Sequence, residues 1–203
     1  MEQFEELKQK FTAEIRSRLS DYRYRHSLGT AKAAVHLAEK YGADVQKAEI
    51  AGILHDITKE TSVEEQLKIL KEFGIIVDDV VLRSKNLFHA YTGALVAEHT
   101  FGIKDPEILD AIRYHTTGRA EMTLLDKVLY IADYISEDRK YGDVEQLRVC
   151  AEQSLDLAVL ESLAYTIVGL IRRGSPVHID TVHAYNAMMM TGAGDELSPR
   201  FVR

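Results

Sequence analysis

Residues 52–60 read GILHDITKE, an apolar run that breaks into polar residues at His55 and Asp56. A neutral imidazole and an ionised carboxylate are both good ligands for a divalent metal. Two neighbours make a centre only if other ligands converge on them. The chain supplies such groups: His26 in YRYRHSLG, His89 in NLFHAYTG, His115 in AIRYHTTG and Asp133 in YIADYI. Mixed imidazole and carboxylate sets bind intermediate transition metals, and such ions bring the pKa of a bound water toward ~7, so hydrolysis needs no strong base. Asp133 argues for a metal by its setting as well as its type. A carboxylate within an apolar helix is costly to keep ionised unless a cation sits beside it.

The elements that must position these groups read as helices. Apolar residues recur at helical spacing in Phe4, Leu7 and Phe11, in Leu28, Ala31, Val35 and Ala38, and in Ile50, Ile53 and Leu54, whereas strand-like alternation is nearly absent. Tyr41-Gly42, Phe73-Gly74 and Phe101-Gly102 each end a helical stretch, and Asp44 and Asp105-Pro106 mark helix starts. The expectation is one all-α domain of about eight to ten helices. It covers residues 1–190, with an N-terminal helix over 1–20 and a core over about 20–187, followed by a flexible tail over 191–203. In that frame His26 heads a helix, His55 and Asp56 end the next, His89 starts a later one, His115 closes another and Asp133 lies within an apolar one. Helices pack ~8–10 Å apart, so groups remote in sequence can meet in one bundle core. His36, ten residues beyond His26, and His99, between Glu98 and Thr100, read as structural instead.

Composition narrows the function classes. The 203 residues are 46% hydrophobic and 28% charged, with three Pro and twelve Gly, which fits a globular chain without long linkers. A formal charge of -7 argues against binding a nucleic acid polymer, which needs a basic face. No apolar run approaches the roughly 20 residues that span a bilayer, so no membrane partner is expected. The single Cys150 excludes an internal disulfide, and MEQFEELKQKF lacks the apolar core of a signal peptide, so the expected compartment is the cytoplasm. Monomer and homodimer both stay open.

The ordered set His26, His55-Asp56, His89, His115, Asp133 resembles the HD-domain superfamily of metal-dependent phosphohydrolases. The segments YRYRHSLGTAKAAVHLAEKYG, KAEIAGILHDITKE, HAYTGALVAEHTFGI, AIRYHTTGRAEMTLLDKVLYIADYISEDR and VHIDTVHAYN, over about residues 20–187, further resemble the YqeK family of bacterial hydrolases, which split diadenosine tetraphosphate symmetrically into two ADP. HTTGR followed by ADYISEDR is the specific part, and the stretch usually read V-H-P-x-T in that family departs here, with Ile179 in place of the proline. The resemblance implies an HD-type helical bundle with a metal site between helices and a small-molecule dinucleoside polyphosphate as substrate. It implies two ions, iron first, although nitrogen and oxygen ligands also accept manganese, cobalt or zinc. His26, His55, Asp56 and Asp133 are then the main ligands, His89 and His115 complete a second ion, and Asp56 bridges.

Cationic side chains recur near these ligands: Arg23, Lys59, Arg119 and Arg139. Arg forks suit bidentate phosphate binding and Lys a point charge. Asp56, Lys59 and Arg119 form the expected catalytic set, and substrate contacts are expected from Arg23, His26, Lys59, His89, Arg119 and Arg139. In HTTGR, Thr116, Thr117 and Gly118 either present hydroxyls and N–H groups to phosphate or simply stop a helix. IRRGSPVHIDT reads as a loop before the last helix, from which the resemblance carries over Arg172, His178 and Thr181 as nucleotide contacts. Two rivals stand beside this reading. One is an HD phosphohydrolase acting on nucleoside mono- or triphosphates or on guanosine polyphosphate alarmones. The other is a nucleotide-binding regulatory module, whose signature would be missing ligands.

Overall fold

Side-chain caps set the helix starts: Ser20, Asp44, Ser62, Asp78, Asp105, Thr123 and Ser154 each accept a hydrogen bond from a backbone N–H of the first turn that follows. At Thr123 the bond is reciprocated, because the Asp126 carboxylate accepts from the Thr123 N–H in a capping box. Gly42, Gly74, Gly102, Gly118 and Gly174, at or just after helix ends, are all at positive φ, where a residue without Cβ is unstrained.

The computed structural model describes residues 2–196. Its helices are α1 (Glu2–Arg18), α2 (Asp21–Tyr41), α3 (Val45–Leu54), α4 (Val63–Glu72), α5 (Asp79–Arg83), α6 (Phe88–His99), α7 (Pro106–Tyr114), α8 (Leu124–Ile135), α9 (Val144–Gln153), α10 (Leu155–Arg172), α11 (Ile179–Met189) and α12 (Ala193–Glu196), with a 3-10 turn over Lys85–Leu87. No strand occurs among the described residues, so the all-α expectation holds. Twelve helices replace the expected eight to ten, because α5 and α12 are too short to show a periodic apolar pattern.

The central layer is α2, α3 and α8, with α6 and α7 against one side and α9, α10 and α11 against another. Phe11, Ile15, Leu37, Leu54, Ile112, Leu129, Ile131 and Leu160 are fully buried in one continuous core, each such side chain contributing about 1.5–3 kcal/mol from apolar burial. A smaller cluster of Leu70, Val81 and Phe88 fixes α4 and α5 beneath the start of α6. The crossing of α2 and α3 depends on Gly52, where a Cβ would lie 2.5 Å from the Cα of Ala31. That contact brings the end of α3 close against the helix that carries His26. No helix of the described residues is long and apolar enough to cross a membrane.

Two boundaries differ from the expected ones. The segment read as a loop from Ile171 is helical through Arg172, because the apolar spacing of α10 carries on to its last turn. Ile179 is the first residue of α11, with His178 as its cap. The first helical position leaves its N–H outside the intrahelical ladder, so either isoleucine or proline fits there. In the expected tail, Ala193–Glu196 form α12 with Ala193 buried, and residues 197–203 lie outside the described ones.

Candidate metal centre

His26 stands in the second turn of α2, His55 caps α3 and is followed by Asp56, His89 lies in the first turn of α6, His115 caps α7 and Asp133 lies in the last turn of α8. Their ring nitrogens and carboxylate oxygens form three ligand groups, His26/His55/Asp56, His55/His115/Asp133 and Asp56/His89/His115, each within 4.8 Å. Five of these side chains, those of His26, His55, Asp56, His89 and His115, are almost wholly buried. The turn carrying Asp56 is tied to α6 by Thr58, whose hydroxyl donates to the His89 carbonyl at 3.1 Å and lies 2.7 Å from the Thr92 hydroxyl.

The two oxygens of Asp56 face different partners. Oδ2 is 3.5 Å from His55 Nε2 and 3.9 Å from His26 Nε2, while Oδ1 is 3.2 Å from His89 Nε2 and 3.9 Å from His115 Nε2. On the far side His26 Nε2 is 2.9 Å from Asp133 Oδ1, and His89 Nε2 is 3.1 Å from His115 Nε2.

The tautomers decide whether this set fits a metal. His55 Nδ1 donates to the Gly52 carbonyl at 2.8 Å and His115 Nδ1 to the Ile112 carbonyl at 2.7 Å. A carbonyl only accepts, so in both rings Nε2 carries the lone pair and faces the cluster. His55 Nε2 is buried with no hydrogen-bond partner, a costly state that a cation between the rings and carboxylates would relieve. His26 is oriented likewise, its Nδ1 3.0 Å from an Asp138 oxygen. Donor type, burial and orientation all fit divalent transition metals.

The electrostatics agree. Burial holds His55, His89 and His115 below the ordinary imidazole range, and the neighbouring imidazoles push His115 further down. These rings are neutral and free to ligate at neutral pH. Burial would raise Asp56, but the adjacent His55 imidazole, the hydrogen bond with His89 and the Lys59 ammonium outweigh it and keep the carboxyl well below its usual range. Burial opposes ionisation of Asp133 too, and the His26 hydrogen bond and the Arg139 charge overcome it. His26 is the exception: burial would lower it, but its bond to Asp133 raises it.

Arg23, Lys59 and Arg139 join the cluster. Arg23 Nη1 donates to Asp56 Oδ2 at 2.9 Å, Lys59 Nζ lies 3.1 Å from His89 Nε2 and 3.9 Å from Asp56 Oδ1, and Arg139 binds the Asp133 carboxylate and, at 2.8 Å, its carbonyl. Burial lowers the Lys59 ammonium. Thr116, beside His115, has a buried hydroxyl with no partner, whereas Thr117 donates to the Gly118 carbonyl and Gly118, at φ 66°, lies in the turn that follows α7.

Other expected residues lie elsewhere. Arg119 is held by Asp110 and Asp126, both at 2.8 Å, and its guanidinium sits over the Tyr114 ring. These contacts tie α7 to α8, with two carboxylates on the flanking helices taking up its charge. His178 caps α11 through Nδ1, its Nε2 is 3.2 Å from Asp78, and Thr181 is buried in the first turn. Arg172 lines a separate cavity beside α9 and α10. His36 pairs with Glu152 and His99 stacks on Phe73, both outside the cluster. Sequence reasoning passed over Thr58, Asp78 and Asp138. Only Asp138 left a signal, as an acid within the ADYISEDR segment.

The family model for the HD domain matches residues 23–138. A symmetrical bis(5'-nucleosyl)-tetraphosphatase from Halalkalibacterium halodurans is 38% identical over 176 residues, covering 87% of this chain and 94% of that protein. A protein of the same name from Bacillus subtilis (strain 168) is 41% identical over 172 residues, covering 85% and 92%. The crystal structure of a "predicted HD superfamily hydrolase involved in NAD metabolism" from Clostridium acetobutylicum superposes with a TM-score of 0.87 at 39% identity, covering 89% of this chain and 96% of that one.

Proposed function

The chain belongs to the HD domain family, and from that membership and the geometry of its His/Asp cluster we propose that it hydrolyses diadenosine tetraphosphate symmetrically to two ADP. The observation that carries the chemistry is Asp56, whose two oxygens address two ligand groups at once and so suit a carboxylate bridging two ions. His26, His55, Asp56 and Asp133 would hold one ion and His89 and His115 would complete the other, with iron the expected metal. When bound, such ions supply a nucleophile from water near neutral pH and neutralise charge on the phosphoryl oxygens.

The chain's own residues do the rest. Nδ1 hydrogen bonds of His26, His55 and His115 fix the rings, so no reorganisation is needed as charge develops. Arg23, Lys59 and Arg139 surround the carboxylates with cations that turn to the substrate's phosphates, and the partnerless Thr116 hydroxyl adds a donor. Arg119 serves as a positioning residue for the α7–α8 junction. The compartment proposed is the cytoplasm.

Symmetric cleavage is tested by running the reaction in oxygen-18 water. The expected result is ADP as sole product, with label in the terminal phosphate of one ADP from each substrate molecule. AMP with ATP would overturn the reading, and rapid hydrolysis of a mononucleotide with the dinucleotide left intact would transfer it to the rival phosphohydrolase.

A further inference from the structure

Alongside α8, α9 and α10 lies a cavity of about 490 Å³ whose lining shares no residue with the His/Asp cluster. Its size suits a nucleoside-sized ligand. Tyr134, Tyr141 and Tyr165 provide aromatic walls, with the rings of Tyr141 and Tyr165 inclined by only 24° at a centroid separation of 6.2 Å. Glu161 and Ser162, also in the lining, are buried, and the Ser162 hydroxyl has no hydrogen-bond partner. A buried hydroxyl without a partner is destabilising by itself, and a ligand's acceptor or donor would relieve it. Arg172 and Arg173 line the cavity from the exposed end of α10.

The chemistry of these groups selects a class of ligand. Aromatic faces take a planar heterocycle by stacking. A carboxylate accepts from an exocyclic amino group, a hydroxyl donates to a ring nitrogen, and arginines meet phosphate. Together they describe a purine nucleoside phosphate with an amino edge. The cavity also adjoins the metal centre through the chain itself. Tyr134 follows Asp133 directly, and Tyr141, two residues beyond the Arg139 that holds Asp133, donates its hydroxyl to the Tyr134 carbonyl at 3.0 Å.

We propose that this cavity is the subsite for the leaving half of the substrate, taking its second adenosine against the tyrosines and its phosphates at Arg172 and Arg173. The inference rests on the dinucleotide reading above and extends it, because it gives the far nucleoside a recognition site of its own. A substrate gripped at both ends is held with its middle anhydride at the metal centre, and the grip on the leaving half contributes to KM.

Gly169 makes a clean test. It lies within α10, and a Cβ there would meet only the Arg173 guanidinium, at 3.3 Å, which can swing aside. Gly169→Leu therefore fills the cavity while favouring the helix, and Tyr165→Ala removes an exposed wall. Steady-state kinetics with diadenosine tetraphosphate should show KM raised about 10-fold or more in both variants with kcat within about threefold, the loss belonging to binding. Neither residue lies in the His/Asp cluster, so both variants should keep the metal content of the unmodified protein by elemental analysis. Thermal melts by circular dichroism check folding, and Gly169→Ala, too small to fill the cavity, should restore the KM. Unchanged KM in both variants, or a raised KM that comes with lost metal, overturns the subsite. If the unmodified protein leaves diadenosine tetraphosphate intact, the dinucleotide reading fails first and takes the subsite with it, an outcome distinct from active protein with indifferent variants.

Discussion

Asp56 and Asp138 carry the site in different ways. Asp56 divides its oxygens between the His26/His55 and His89/His115 sides, so Asp56→Ala removes a ligand from both. The expected outcome is loss of essentially all bound transition metal with helicity retained, read by elemental analysis and circular dichroism. Retention of one ion at full occupancy would contradict a bridging role. Asp138 touches no reacting group, yet its carboxylate orients His26 from the far side of the ring. Asp138→Ala should weaken metal binding by roughly 10- to 100-fold, seen in metal titration, and Asp138→Asn, which keeps an acceptor for Nδ1–H, should recover part of it. An affinity unchanged in Asp138→Ala would reduce that residue to a surface acid. The ligand types were legible in the sequence because a residue's chemistry is printed in its name. The role of Asp138 was not, because its partner His26 lies 112 residues away.

The helices differ in how much they announce. Caps and glycine stops at Asp44, Asp105-Pro106, Gly42, Gly74 and Gly102 are local signals, and the structure uses each of them as expected. The contact between α2 and α3 is not local. At Gly52 a Cβ would overlap the backbone of Ala31, so Gly52→Ala must push the helices apart at the point where the Gly52 carbonyl also orients His55. The cost should be about 1–3 kcal/mol, as for other overpacked cores, together with weakened metal binding, measured by denaturant melts and metal titration. A variant with native stability and metal content would show that the crossing has slack. Arg119 teaches a similar lesson, since nearness to His115 in sequence did not bring it to the cluster, and two flanking aspartates claimed it instead.

The six ligand groups come from five helices, so metal binding braces most of the bundle. Metal present at about a thousandfold above its Kd stabilises by about 4 kcal/mol, which for a chain of this size is about 8–16 °C in melting temperature. Chelation should lower the Tm by that order in a calorimetric scan, and an unmoved Tm would mean that no ion is held. The metal-free protein should also be acid-sensitive. Burial holds His55, His89 and His115 below the usual value near 6.5. The unfolded chain therefore binds more protons below that pH, and the contribution present above it is lost as the pH falls toward the folded values. His26, which is raised, works in the opposite sense but is one ring against three. Asp56 and Asp133, held well below the usual carboxylate range, stay ionised through this window. Melts of the chelated protein should show Tm falling from about pH 7.5 to about 5.5, and a flat or rising profile would contradict the neutral-ring assignment.

By itself the sequence determined the all-α class, the positions of most helix ends, the six groups able to bind metal and the family to which they point. These follow from side-chain chemistry and from patterns that repeat within one or two turns. Only the tertiary structure decided that the oxygens of Asp56 address two ligand groups, that Asp138 and Thr58 steady His26 and the HD turn, that Arg119 binds aspartates, and that a tyrosine-lined cavity adjoins Asp133. The physical reason is that hydrogen bonds and ion pairs form over about 3 Å, and which atoms come that close depends on how helices from opposite ends of the chain pack against one another.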